Sequence, residues 1–149
     1  MHQPHPNHPP AITLLRHAVT LPWESLDQAL KQHVDAGVIL GDATTPGTAH
    51  WHLRHITEIF QLHSATLRGT TPPSPDALPT DPRALRDLLL ADINTLDAWL
   101  TQQDHAFFDR PVIYGRSHSF LEMVSVMLQH ITWHAAAVHY WVCWRRDQA

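Results

Sequence analysis

From Phe120 to Trp141 the chain repeats apolar side chains at the three- and four-residue spacing of an α-helix, and two histidines fall inside that stripe. With Met127 at zero and about 100° per residue, His134 lies about 20° away and His130 about 60° away. Phe120, Val124, Ile131, Val138 and Trp141 share the arc. A helix so patterned buries this face against other helices, and its histidines go in with it. An unpaired imidazole away from water is costly, so each ring needs a partner. Four-residue spacing stacks the two rings one turn apart, which lets two neutral nitrogens reach one transition-metal ion. The alternative is a pair of core histidines bonded to carbonyls or carboxylates.

Elsewhere the apolar positions also recur at helical and not alternating intervals, so no strand is expected. A first helix covers roughly residues 11–35, interrupted at Leu21-Pro22 because proline disfavours helix at the residue before it. Pro22-Trp23-Glu24-Ser25 reads as a fresh start, Leu26, Ala29, Leu30 and His33 as an inward stripe, and Gly37 as a stop. Thr48 is placed to cap a second helix over about 49–67, ending at Gly69. Thr70 to Pro82 is proline-rich and long enough to cross the end of a bundle. Asp81-Pro82 opens a third helix to about Gln103, carrying Leu85, Leu88, Leu89, Ile93, Leu96 and Leu100 at helical period. A loop from Asp104 to Arg116 follows. Ser117 or Ser119 then caps the long fourth helix, with Glu122 completing a capping box if Ser119 is used. The expected architecture is all-α, a four-helix bundle with a long connection between its second and third helices.

The chain of 149 residues suffices for one domain with a real core, read here as residues 11–149 behind a flexible His/Pro-rich tail of residues 1–10. His2, His5 and His8 in that tail are expected to pick up metal only adventitiously. The start lacks the basic and apolar regions of a signal peptide, and no run approaches the ~18–20 apolar residues of a membrane span. A soluble cytoplasmic protein is therefore expected. Ten Lys plus Arg against a formal charge of −4 leave no basic face for nucleic acid. A single cysteine, Cys143, excludes an intrachain disulfide framework and a Cys-rich zinc module, and is read as a packing residue. Any tightly bound metal must rely on nitrogen and oxygen ligands, which suits a chain with fourteen histidines.

The second helix is the natural source of a third ligand, since it carries His50, His52, His55 and His63. With His55 at zero, Trp51, Leu62 and Ile59 fall within about 40°, so His55 is expected to point inward. His52 and Glu58 flank it at about 60° on either side, and His63 lies further round. His55, His130 and His134 would form a facial set of three nitrogens, leaving a four- to six-coordinate ion an open position for water or substrate.

Two stretches carry a likeness to a known family. One is Thr45-Pro46-Gly47-Thr48-Ala49-His50-Trp51-His52-Leu53-Arg54-His55-Ile56, a tryptophan and a histidine entering the second helix. The other is the HxxxH of Gln129-His130-Ile131-Thr132-Trp133-His134. With Leu14-Leu15-Arg16-His17-Ala18 and Pro22-Trp23-Glu24-Ser25-Leu26, they make the chain resemble the DinB/YfiT-like superfamily of metalloenzymes. The resemblance implies that His55, His130 and His134 correspond to the family's metal triad. It implies a divalent ion, zinc or nickel first and iron or manganese second. It also implies a small-molecule substrate, a low-molecular-weight thiol cofactor of the bacillithiol or mycothiol type, and S-transfer chemistry. A homodimer fits the resemblance, with Trp133, Tyr140 and Trp144 as outward aromatics for an interface.

The weaker candidates are Glu58 and Tyr114 for catalysis, and Arg54, Arg110 and Arg116 for the carboxylates of a thiol cofactor or substrate. Trp51, Trp99, Trp133 and Trp141 are expected in the core or a pocket wall. A metal-dependent hydrolase is the chemical alternative. A non-enzymatic, stress-related bundle that binds a metal or small ligand is the other.

Overall fold

Proline and glycine punctuate this chain, and the helices start and stop where they direct. The computed structural model describes residues 8–21, 25–34 and 40–148. Six helices and one short hairpin follow in the order α1 (His8–Thr20), α2 (Leu26–Val34), α3 (Ala49–Arg68), α4 (Pro82–Leu100), α5 (His105–Phe108), β1 (Val112–Tyr114), β2 (Arg116–His118) and α6 (Phe120–Arg146). The turn proposed at Pro22-Trp23-Glu24 and the stop at Gly37 lie outside the described residues, as do His2 and His5. Helix α1 begins at His8, inside the segment read as a tail, with Pro9 and Pro10 in its first turn where their missing N–H groups cost nothing.

Side chains and glycines close the helix ends. Thr48 accepts the N–H of Trp51 at the start of α3, and Gly69 ends that helix at φ 66°, a left-handed conformation that glycine adopts without strain. Asp81 accepts the N–H of Ala84 ahead of α4, with Pro82 as its first residue. Ser119 and Glu122 form a reciprocal capping box at α6, so Ser119 and not Ser117 is the cap.

Helix α6 packs against α1, α2 and α3, while α4 packs against α1 and α3. The core between them is apolar: Ile12, Leu15 and Val19 from α1, Leu85, Leu89, Ile93 and Leu96 from α4, and Met123, Met127, Ile131 and Val138 from α6. At roughly 1.5–3 kcal/mol for each fully buried side chain, this layer dominates the stability. Ion pairs trim its edges. Arg16 of α1 pairs with Asp97 and donates to Asn94 on α4, and Arg86 of α4 grips Asp27 of α2 through two bonds of 2.6 Å. Both pairs are partly exposed, so each adds little beyond fixing register.

The crossover from Gly69 to Asp81 is held at two points. Arg54 of α3 donates to the Pro75 carbonyl at 2.8 Å, and Leu78 is buried in the core. Beyond α5 the chain departs from expectation. Val112–Tyr114 and Arg116–His118 form an antiparallel hairpin, with Val112 opposite His118 and Tyr114 opposite Arg116. Gly115 at φ 70° makes the turn possible. The periodicity reading gave this stretch to a loop because three-residue strands are too short to display alternation.

Candidate metal centre

The facing surfaces of α3 and α6 place five histidines in a row. His55, His130 and His134 each offer a ring nitrogen, and these three atoms lie within 4.8 Å of one another. Their ring centroids stand 4.6 Å apart for His130 and His134, 4.9 Å for His55 and His134, and 5.2 Å for His55 and His130. His134 is fully buried, whereas His130 and His55 are half-buried. The sequence reading put His55 on the inward centre of α3. The buried stripe of α3 instead runs through Leu53, Ile56, Phe60 and Leu67, because this helix packs against both α4 and α6. His55 sits at the edge of that stripe, on the α6 side.

Two further histidines of α3 are more deeply buried than His55. His52 is 7% exposed, and its Nδ1 lies 2.6 Å from Nδ1 of His134. His63 is 3% exposed, stands 6.4 Å from His130 ring to ring, and meets the edge of Tyr114 at 4.9 Å. Sequence reasoning placed both beside or beyond the site. Their i−3 and i+8 offsets from His55 were the available signal, since both keep to the face that meets α6.

Trp51 orders this group. Its ring stacks on His55 at 4.8 Å with planes 8° apart and meets His52 edge-on at 5.0 Å. Trp133 closes the other side, edge-on to His134 at 4.7 Å and to His52 at 6.2 Å. Trp133 is 66% exposed, so of the two positions expected for it, core or pocket wall, it takes the outer wall. An open groove of about 820 Å³ runs along α6 past Val126, Leu128, Gln129, His130, Thr132 and Trp133. His130 is therefore where the buried cluster meets the outside.

Desolvation is the largest influence on His52, His63, His130 and His134. Burial pushes His134 down to about 3, with the neighbouring rings of His130, His52 and His55 lowering it further. Burial and His130 bring His63 to about 4. His52 and His130 are lowered by burial and then by His55. Neutral rings are the form that ligates a metal.

Nε2 of His130 and Nε2 of His134 are buried and have no hydrogen-bond partner, a property shared by one ring nitrogen each of His50, His63 and His118. What sets His130 and His134 apart is that their rings converge with a third, His55, with one nitrogen of each within 4.8 Å of the others. Three neutral nitrogens suit zinc, nickel or iron far better than magnesium or calcium. Nitrogens bound at about 2.0–2.1 Å stand about 3 Å apart around one ion. The observed set lies within 4.8 Å, so holding one ion would require the rings to draw closer. The residues fit the group.

The weaker candidates scatter. Glu58 is half-buried one turn along α3 from His55, outside the converging nitrogens. Tyr114 joins the row through His63, and its carbonyl accepts from His118 Nε2 at 3.2 Å. Arg54 is spent on the crossover carbonyl. Arg110 lines a separate recess of about 320 Å³ between the end of α3, α4 and the hairpin. Arg116 is exposed on β2 near Glu122, whose carboxylate is held low mainly by its bonds with Ser119. Cys143 contacts His139 at 3.6 Å on the far part of α6. Among the described residues, no helix is long and apolar enough to cross a membrane. Comparison with family models, with curated proteins and with solved structures gives no match.

Proposed function

We propose that the chain is a DinB-like four-helix bundle in which His55, His130 and His134 hold one divalent transition-metal ion, zinc or nickel before iron or manganese. The observation that carries this reading is the convergence of His55, His130 and His134, each with a ring nitrogen within 4.8 Å of the others. When bound, such an ion supplies Lewis acidity that lowers the pKa of a thiol or water taken into its open position. The protein's own residues do the rest. Trp51 and Trp133 fix the imidazole planes, and burial favours the neutral form of His130 and His134. The groove beside His130 admits a small molecule along an apolar wall.

The reaction that suits this arrangement is thiol-dependent S-transfer to an apolar electrophile. Among the described residues no carboxylate stands with the converging nitrogens to serve as general base, which ranks hydrolysis second. The accessible edge at His130 favours an enzyme over a closed, purely structural ion site or a non-enzymatic ligand-binding bundle. Elemental analysis of tag-free protein, followed by a screen of low-molecular-weight thiols with electrophilic substrates, tests the reading. One tightly held transition metal per chain and thiol consumption dependent on it are expected. Metal-free protein that takes up no zinc or nickel at micromolar concentration overturns it.

A further inference from the structure

His52 lies outside the three converging nitrogens, yet it makes the shortest contact in the histidine row. Its Nδ1 is 2.6 Å from Nδ1 of His134, and both rings are buried, at 7% and 0% exposure. Two nitrogens bound to one ion at about 2.0–2.1 Å would be about 2.9 Å apart at a right angle and about 3.3 Å apart at a tetrahedral one. The observed distance is shorter than either and is that of a hydrogen bond between the two rings. One of them carries a proton and the other accepts it. Were His134 to accept, its own Nε2 would carry the proton and become a buried donor with no partner. Were His134 to donate, its Nε2 keeps a lone pair, the form in which an imidazole nitrogen can ligate an ion.

We propose that His52 is the positioning residue of the site: its Nδ1 accepts the Nδ1–H of His134 and fixes that ring in the tautomer whose Nε2 is free to ligate. The proposal rests on the metal reading above and adds to it the group that orients one ligand. Outer partners of this kind hold the ring plane as well as the proton. His52 is built for that, wedged edge-on between Trp51 at 5.0 Å and Trp133 at 6.2 Å. It arises one turn before His55 on α3, so a single helical segment provides both a ligand and the support for a ligand on α6.

The test begins with ¹⁵N-labelled metal-free protein at a pH where the rings are neutral. Two-bond proton–nitrogen correlations are expected to show His134 with a protonated Nδ1 and an unprotonated Nε2. In His52→Leu the ring is expected to revert to the Nε2–H form that free imidazole prefers. His52→Asn, whose amide oxygen stands in for the ring nitrogen as acceptor, is expected to keep the wild-type tautomer. Zinc affinity, measured by competition with a chromophoric chelator, is expected to fall 10–100-fold in His52→Leu and to recover in His52→Asn. An Nε2–H tautomer of His134 in the wild type overturns the proposal without any variant, which guards against a variant that fails to fold. Equal zinc affinity in wild type and His52→Leu overturns the role of His52 while the metal reading stands. A wild type that binds no zinc overturns both.

Discussion

The ring of His55 lies flat on that of Trp51, centroids 4.8 Å apart and planes 8° from parallel. The contact spans four positions of one helix, so it forms as soon as α3 does. It fixes the half-buried His55 in the direction of α6 before any ion is present. Trp51→Leu is therefore expected to leave the fold intact and weaken zinc binding several-fold, in line with roughly 0.5–1.5 kcal/mol for an aromatic pair. Competition titration of the variant checks this, and an unchanged affinity would show that the stack is incidental.

Removing a ligand outright should do more. His134→Ala and His130→Ala are each expected to lose stoichiometric metal after exhaustive dialysis, because two nitrogens do not retain an ion that three hold. His139→Ala, an exposed position on the same helix, is the matched control and is expected to keep it. Full metal content in His134→Ala would remove that ring from the ligand set.

Acid should unfold the metal-free protein through the same histidines. His52, His63, His130 and His134 have folded values below the ordinary 6.5, so between those values and 6.5 the unfolded chain binds more protons than the folded one. At neutral pH both states are uncharged at these rings and nothing is lost. Stability is expected to fall as pH drops below about 6.5, steepening as each ring adds its proton, and to level off only near the folded values of about 3–4. Urea midpoints measured from pH 8 to pH 4 check the sign. In His63→Leu the acid-side slope should be shallower by about one proton.

The cap of α6 offers a perturbation away from the site. Ser119→Ala removes one half of the reciprocal box with Glu122 and is expected to cost about 1 kcal/mol, or about 2–4 °C in Tm for a chain of this size. Metal stoichiometry is expected to be unchanged. Loss of metal in this variant would mean that the ligands depend on the whole length of α6 and not on its middle turns.

The parts of the fold legible in the sequence were those written in local chemistry. Thr48, Gly69, Asp81-Pro82 and the Ser119–Glu122 pair each mark a helix end because the backbone there needs a specific donor, acceptor or φ. The apolar arc of α6 likewise announced that His134 is buried. Two things were not legible. The Val112–His118 hairpin is too short for its period to register, and Gly115 alone does not predict it. The depth of His52 and His63 depends on how α3 divides its surface between α4 and α6. A helical wheel centred on His55 shows which residues share a face, but not where the neighbouring helices stand.

The proposed ligands and their support come from α3 and α6, helices far apart in the chain with the crossover, α4, α5 and the hairpin between them. An ion gripped from both sides would thus act as a removable cross-link, closing a loop of about half the chain. The nascent polypeptide acquires the second half of that clasp only when α6 emerges, so ion capture would report that the last long helix has docked in register. One turn of slippage, about 5.4 Å, would part the two halves.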